Sequence, residues 1–218
     1  MRKITLPQTA VFAVLLLLAV VAALAGTRAV LWDAPLGDFR GVALVLAALL
    51  LVFLFALAVY RGFLAAFPLP EGAIGKGSRD EFVYHVYLLF HLNLFQPLTR
   101  SHFVPVPLMK LIYQALGARL GANSYSGGAI LDPPLTRVGN NCIIGHDAVL
   151  FCHAVEGENL SLAPIRLGNN VTIGAKAVIM PGVTIGDDSI VAVNAVVAKG
   201  SRIGSRELWA GIPARRIR

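Results

Sequence analysis

Hydrophobic and polar positions divide this chain into two halves with different rhythms. Thr9–Gly26 (TAVFAVLLLLAVVAALAG) and Val42–Tyr60 (VALVLAALLLVFLFALAVY) are apolar without a single charge. At 1.5 Å per residue they run roughly 27 and 28 Å, close to the ~30 Å hydrocarbon core of a bilayer. Backbone groups in lipid must be satisfied within the segment, so both are predicted helices. Ala23-Leu24-Ala25 also fits the end of a secretory leader. A second, equally apolar segment after a short loop favours a two-helix hairpin instead.

From Val138 onward the rhythm changes to six. The hexads read VGNNCI, IGHDAV, LFCHAV and, after an interruption, LGNNVT, IGAKAV, IMPGVT, IGDDSI, VAVNAV, VAKGSR and IGSREL. The first position is always Val, Ile or Leu, and the fifth is usually small, as at Cys142, Ala148, Ala177 and Ala195. A period of six is not a helix of period 3.6. Three short strands joined by tight turns make a triangular coil of eighteen residues, with the aliphatic side chain inside and Gly at the turn. One coil cannot bury its own apolar face, but stacked coils can. Between the two halves, Glu81–Phe95 and Val106–Leu116 are short, Pro-flanked segments predicted to be amphipathic helices lying in the interface or packed beneath the repeat domain.

The expected organisation is a two-helix transmembrane anchor over 1–61, interfacial or linking helices over 62–119, and an all-β repeat domain over 120–218. Arg2 and Lys3 precede the first span, and Arg61, Lys76 and Arg79 follow the second, against Arg28 and Arg40 in the intervening loop. The positive-inside rule then puts both chain ends in the cytoplasm. The net charge of +7 comes from Arg and Lys that form no stripe or long run along the sequence. Anionic lipid or an anionic cofactor explains the excess, and no nucleic-acid partner is expected. Cys142 and Cys152 belong to no CxxC pair, which excludes a disulfide scaffold or a cysteine metal site. Cys142 falls on an inward repeat position, while Cys152 is left unassigned.

With IGAKAVIMPGVTIGDDSIVAVNAVVAKG at Ile173–Gly200 and WAGIPARRIR at Trp209–Arg218, the repeat half resembles the hexapeptide-repeat acyltransferases. The likeness is greatest to the branch that acetylates sugars, serine and small polar acceptors. It covers about 120–218 and implies a left-handed parallel β-helix, a homotrimer and acetyl-CoA as acyl donor. The expected acceptor is a small molecule or a lipid-linked glycan near the membrane lipid. Together with the anchor, it implies a bacterial inner-membrane enzyme whose catalytic domain faces the cytoplasm.

The hexad register breaks after Val155, and Glu156–Arg166 intervene before Leu167 restarts it. His153 stands just before this excursion with Glu156 three residues on. Neutral imidazole accepts a proton near pH 7, and a carboxylate on its other nitrogen fixes the tautomer. In the family the base is a histidine near such a loop, assisted by an acidic residue, so His153 with Glu156 is the leading pair. His146 with Asp147 is the second candidate, and Glu158 is an alternative carboxylate. The resemblance also implies a donor site at Ala175, Ala192, Ala198, Lys199, Arg215 and Arg218, in a groove between subunits. The two alanines would leave room for the pantetheine arm and the basic groups would meet phosphates. Asn170 and Asn194 are read as turn residues, and Trp209 as closing the end of the prism.

His85, His91 and His102 are read as interfacial or hydrogen-bonded structural groups. No metal is expected. A γ-type carbonic anhydrase shares the fold but needs three zinc-holding histidines, and the repeat half holds only His146 and His153, leaving a third to come from a position such as His102. A trimeric membrane scaffold without chemistry is the non-enzyme alternative. No nucleotide-binding α/β domain has room here.

Overall fold

A computed structural model describes residues 2–101 and 103–218. Helix α1 (Leu6–Leu31) and helix α2 (Arg40–Ala66) pack against each other. Both are long and apolar enough to cross a membrane, and only 6% of the most apolar stretch of α2 is buried. Their inner ends are the exception. Phe12 of α1 meets Phe90 edge-on at 5.0 Å, and Tyr60 of α2 is fully buried with its hydroxyl donating to the Leu116 carbonyl at 3.2 Å.

Helix α3 (Arg79–Phe90) starts where Ser78 Oγ accepts the Glu81 N–H, with Asp80 and Glu81 favourable in the first turn. Arg2 Nη1 reaches Glu81 at 2.9 Å, which ties the chain start to this helix. Val83, Tyr84, Val86, Tyr87 and Phe90 are all buried, so α3 packs against the repeat domain. A five-residue π segment (His91–Phe95) and the one-turn helix α4 (Gln96–Thr99) follow. Helix α5 (Val106–Ala115) buries Met109 and Tyr113 and leaves Val106, Leu108 and Leu111 exposed. The Tyr113 hydroxyl donates to Gly128 O at 3.1 Å and accepts the Ile130 N–H, which fixes α5 on the first coil.

The rest of the chain is the expected parallel prism. One face stacks Arg119–Leu120, Thr136–Val138, Ile165–Leu167, Thr184–Ile185 and Arg202–Ile203. A second stacks Tyr125–Ser126, Ile143–Ile144, Thr172–Ile173, Ile190–Val191 and Leu208–Gly211. The third stacks Ala129–Ile130, Val149–Leu150, Val178–Ile179 and Val196–Val197. In each two-residue strand the second residue points in, as Ile144, Ile173, Ile179 and Ile185 do at 1% exposure or less. Asn123, Asn141, Asn170, Asp188 and Asn194 take positive φ near 55–60° at the corners, so Asn170 and Asn194 are turn residues. Coils stack so closely there that a Cβ on Gly145 would sit 2.6 Å from the Ala175 nitrogen.

Outward residues show what the linear sequence hides. Arg119, Arg137, Arg166 and Arg202 share one register on the first face, with Thr184 between the last two. This corrects the reading that basic residues form no stripe. On the second face, Tyr125, Ile143 and Ile190 form an exposed, mostly apolar column.

The excursion is a hairpin of His153–Glu156 and Asn159–Leu162. A strand from the N-terminal half, Gly72–Ile74, pairs antiparallel with its second arm and makes a three-stranded sheet. Helical and repeat halves are therefore joined by backbone hydrogen bonds. At the far end Trp209 packs partly buried on the core, and Ala214–Arg216 folds back on Leu208–Gly211.

Candidate functional site

LFCHAV is not a repeat hexad. Leu150, Cys152 and Ala154 are all buried, an alternation of two that marks a strand leaving the prism. His153 therefore sits on extended chain, between the buried Cys152 and Ala154. In such a strand residues three apart point to opposite sides, so Glu156 cannot turn back to His153. Instead its Oε2 lies 3.0 Å from Lys199 Nζ, across the hairpin from the prism corner. The Glu156 partnership expected from the sequence is corrected on this point.

The carboxylate on His153 is Asp132, one coil earlier. Nδ1 of His153 is 2.7 Å from Asp132 Oδ2, and the same oxygen accepts the Cys152 N–H at 2.7 Å. Tyr87 of α3 donates to Oδ1 at 3.2 Å. Asp132 is 1% exposed and begins the 3-10 turn Pro133–Leu135, whose end is clamped by Thr136 Oγ1 on the Asp132 carbonyl at 3.0 Å. The His153 ring is flanked by Tyr84 of α3 and by Phe151, at 6.4 and 5.8 Å between ring centres. The N-terminal half thus supplies two of the side chains that surround this pair.

An ionised carboxylate only accepts, so Nδ1 carries the shared proton and Nε2 carries the lone pair. Burial alone would raise the Asp132 pKa, but the His153 hydrogen bond and charge and the Cys152 N–H more than offset it and hold it below the usual carboxylate value. Burial likewise pulls His153 down, and Asp132 outweighs it, leaving the imidazole a stronger base than usual. Cys152 is the opposite case. Burial and the nearby Asp132 charge push its thiol up to about 12, so it is an inert core group.

His146 sits at a different corner, between the second and third faces. Its Nε2 is 3.5 Å from Asp147 Oδ2, and its side chain is 70% exposed. It borders a cavity of about 290 Å³ with Thr99, Arg100 and Met109. Glu158 pairs loosely with Lys76 at 3.4 Å near the hairpin tip. Of the donor-site residues, Ala175 and Ala192 stack at the His146 corner. Ala198 and Lys199 belong to the corner from which the hairpin leaves, and Arg215 and Arg218 to the final strand and its end. Within one chain Ala175, Ala192, Ala198 and Lys199 sit at the two ends of the third face, while Arg215 lies on the last strand of the second face's sheet and Arg218 at its end.

His85 and His91 are not the hydrogen-bonded groups expected. His85 Nδ1 and both nitrogens of His91 are buried and find no partner among the described residues. His102 lies outside the described residues. Among these residues no three His, Cys, Asp or Glu side chains cluster to hold a metal.

His91 stacks on Tyr87 at 5.9 Å, and burial drives its pKa down to about 4. An unfolded histidine protonates near 6.5. Stability present above that value is therefore lost as pH falls towards 4, by about 3 kcal/mol at the lower end. His153 runs the other way: its raised pKa gives stability that is full in acid and is lost as pH rises through the folded value. Thermal melts at pH 7 and pH 4.5 separate the two. His91→Leu is expected to flatten the acid loss relative to the parent, and an unchanged loss would count against a neutral buried His91.

Asp132, Tyr84 and Tyr87 escaped the sequence reading. The one available signal was an acidic residue in an otherwise apolar AILDPPL stretch, 21 residues before His153.

Comparison with known proteins agrees with this architecture. Residues 164–205 match the family described as bacterial transferase hexapeptide, six repeats. The chain is similar to galactoside O-acetyltransferase of Escherichia coli K12, with 36% identity over 119 residues, covering 49% of this chain and 57% of that protein. It is also similar to mitochondrial gamma carbonic anhydrase 1 of Arabidopsis thaliana, with 37% identity over 83 residues, covering 38% of this chain and 26% of that protein. Among solved structures, a galactoside acetyltransferase in complex with coenzyme A aligns with a TM-score of 0.45 and 27% identity, over 60% of this chain and 78% of the other. The repeat half is thus similar to hexapeptide-repeat, acetyltransferase-like proteins. The chain spans little more than half the length of the galactoside enzyme and about a quarter of the carbonic anhydrase.

Proposed function

We propose that the protein is an acyl-CoA-dependent acetyltransferase. It moves acetyl from acetyl-CoA to a hydroxyl or amine of a sugar, glycan precursor or other small polar acceptor beside the membrane. The observation that carries this reading is the His153–Asp132 pair at the one place where the prism opens into a hairpin. Nε2 of His153 takes the acceptor proton as the nucleophile attacks the thioester carbonyl, and Asp132 stabilises the imidazolium formed. When the tetrahedral adduct collapses, the proton passes to the departing coenzyme A sulfur.

The donor belongs to the groove beside the third face, with Lys199, Arg215 and Arg218 towards its phosphates and Ala175, Ala192 and Ala198 leaving room for the pantetheine arm. Because these groups are spread over more than one face of the chain, a neighbouring copy would complete the site. The exposed column of Tyr125, Ile143 and Ile190 suits such self-association into a homotrimer. The largely exposed apolar surface of α1 and α2 supports a two-span anchor in a bacterial inner membrane, with the repeat domain in the cytoplasm, where acetyl-CoA is available.

Calorimetric titration of the detergent-purified chain with acetyl-CoA tests the donor assignment, and release of coenzyme A over a pool of glycan precursors tests the reaction. Saturable binding with turnover supports an acetyltransferase. Binding of neither acetyl-CoA nor longer acyl-CoAs would leave a trimeric scaffold as the better account. Stoichiometric zinc in the purified protein, with carbon dioxide hydration, would favour a carbonic anhydrase.

A further inference from the structure

The arginine column on the first face has no matching column of acids. Neighbouring strands lie about 4.8 Å apart, and like charges directly opposite one another are unfavourable. Among the described residues the nearest acid to any of the four is Glu71, 4.0 Å from Arg166. Among the described residues, Arg119, Arg137 and Arg202 have no carboxylate within 4.0 Å, and neither does Arg61 near the inner end of α2.

Three of these unpaired guanidinium groups converge. Arg61, Arg119 and Arg137 line one cavity of about 440 Å³, together with Gln114, whose amide also donates to Leu120 O, and one acid, Glu71. Its other wall is the end of α2 and the chain beyond it, through Leu64, Ala65, Pro68 and Leu69. The prism side therefore contributes Arg119 and Arg137, and the anchor side contributes Arg61 beside a run of apolar residues. Arg61 immediately follows the apolar segment Val42–Tyr60.

Guanidinium groups bind phosphate through paired N–H donors, and each one left unpaired favours an anion. An apolar wall continuous with a transmembrane helix suits a ligand that carries its own acyl or prenyl chain. We propose that this cavity binds the phosphate or diphosphate headgroup of a membrane lipid. This rests on the reading of α1 and α2 as a membrane anchor. The site is separate from His153, which lies on the other side of the Asp132–Leu135 turn. Pro134 and Leu135 of that turn line the cavity, while Asp132 faces the histidine.

The test uses the full chain in a neutral detergent, followed by native mass spectrometry and thermal melts. The probes are dioleoyl phosphatidic acid, dioleoyl phosphatidylcholine, inorganic pyrophosphate and a 20-base-pair DNA duplex. Phosphatidic acid should bind saturably, raise the melting temperature, and lose about tenfold in affinity in the double variant Arg119→Gln, Arg137→Gln. Arg202→Gln, at the far end of the column and outside the cavity, should bind as the parent does. Equal binding of phosphatidic acid by parent and double variant would overturn the site. Pyrophosphate binding as tightly as the lipid would overturn the lipid component, and preferential binding of DNA would make the column a nucleic-acid surface. Carbonate extraction of membranes containing the parent checks the anchor by itself, so a failed anchor and a failed headgroup site give different results.

Discussion

Replacing His153 with Ala should lower acetyl transfer about a thousandfold while leaving acetyl-CoA affinity within a few-fold of the parent. A positioned general base contributes typically 10²–10⁴ in rate, and the imidazole is assigned to the acceptor proton and not to the donor. Partial rescue by added imidazole would identify the missing group as a base. His146→Ala, at the other corner of the prism, should retain turnover within about twofold. Full activity in His153→Ala, or collapse in His146→Ala, would move the chemistry to the His146 corner.

The second large effect is expected at Asp132. Asp132→Asn keeps the shape of the side chain, and its packing is feasible. The amide oxygen can accept from Cys152 N–H and from His153, while the NH₂ group faces the Tyr87 hydroxyl, which can turn its proton to the Leu131 carbonyl 3.2 Å away. What is lost is the charge. With a neutral partner, the His153 imidazolium loses its stabilisation and its pKa falls from the raised value. The acid limb of kcat/KM should therefore move to lower pH, while the pH-independent rate drops about a hundredfold because the imidazolium formed during transfer is no longer paired. Asp132→Ala is expected to differ in kind. It strands the Cys152 N–H in a buried site and costs about 1–3 kcal/mol of stability besides. A pH–rate profile for the Asn variant that overlays the parent would disprove a charge-bearing role for Asp132.

The prism was legible in the sequence because its rule is local: one aliphatic and one small residue every six positions, with Asn or Gly at the corner. The sequence singles out His153 for a related reason, since it stands where that rule stops. Its partner is not singled out, because the rule gives spacing along the chain while Asp132 reaches His153 across coils. The Pro133–Leu135 turn alters the count between them. LFCHAV imitates a hexad in composition, yet Leu150, Cys152 and Ala154 obey a period of two. The arginine column was hidden by the hairpin insertion. Arg119 and Arg137 are eighteen residues apart, but Arg137 and Arg166 are twenty-nine apart, because the hairpin adds eleven residues to that coil. The roles of Tyr84 and Tyr87 could not be read at all, since nothing in a helical segment announces which sheet corner it will meet.

The strand Gly72–Ile74 has a mechanical consequence. A tethered enzyme on a flexible linker would sweep a hemisphere above its membrane and meet dissolved partners in three dimensions. Here three backbone-paired residues, together with Arg2 donating to the Glu158 and Ile74 carbonyls, hold the hairpin of His153 to the N-terminal half. If α1 and α2 sit in a bilayer, as proposed, the His153 imidazole stands at one height and one tilt. Were the proposed acceptor borne on a lipid, its encounters with His153 would become a planar search, paced by lateral diffusion and not by the swing of a tether.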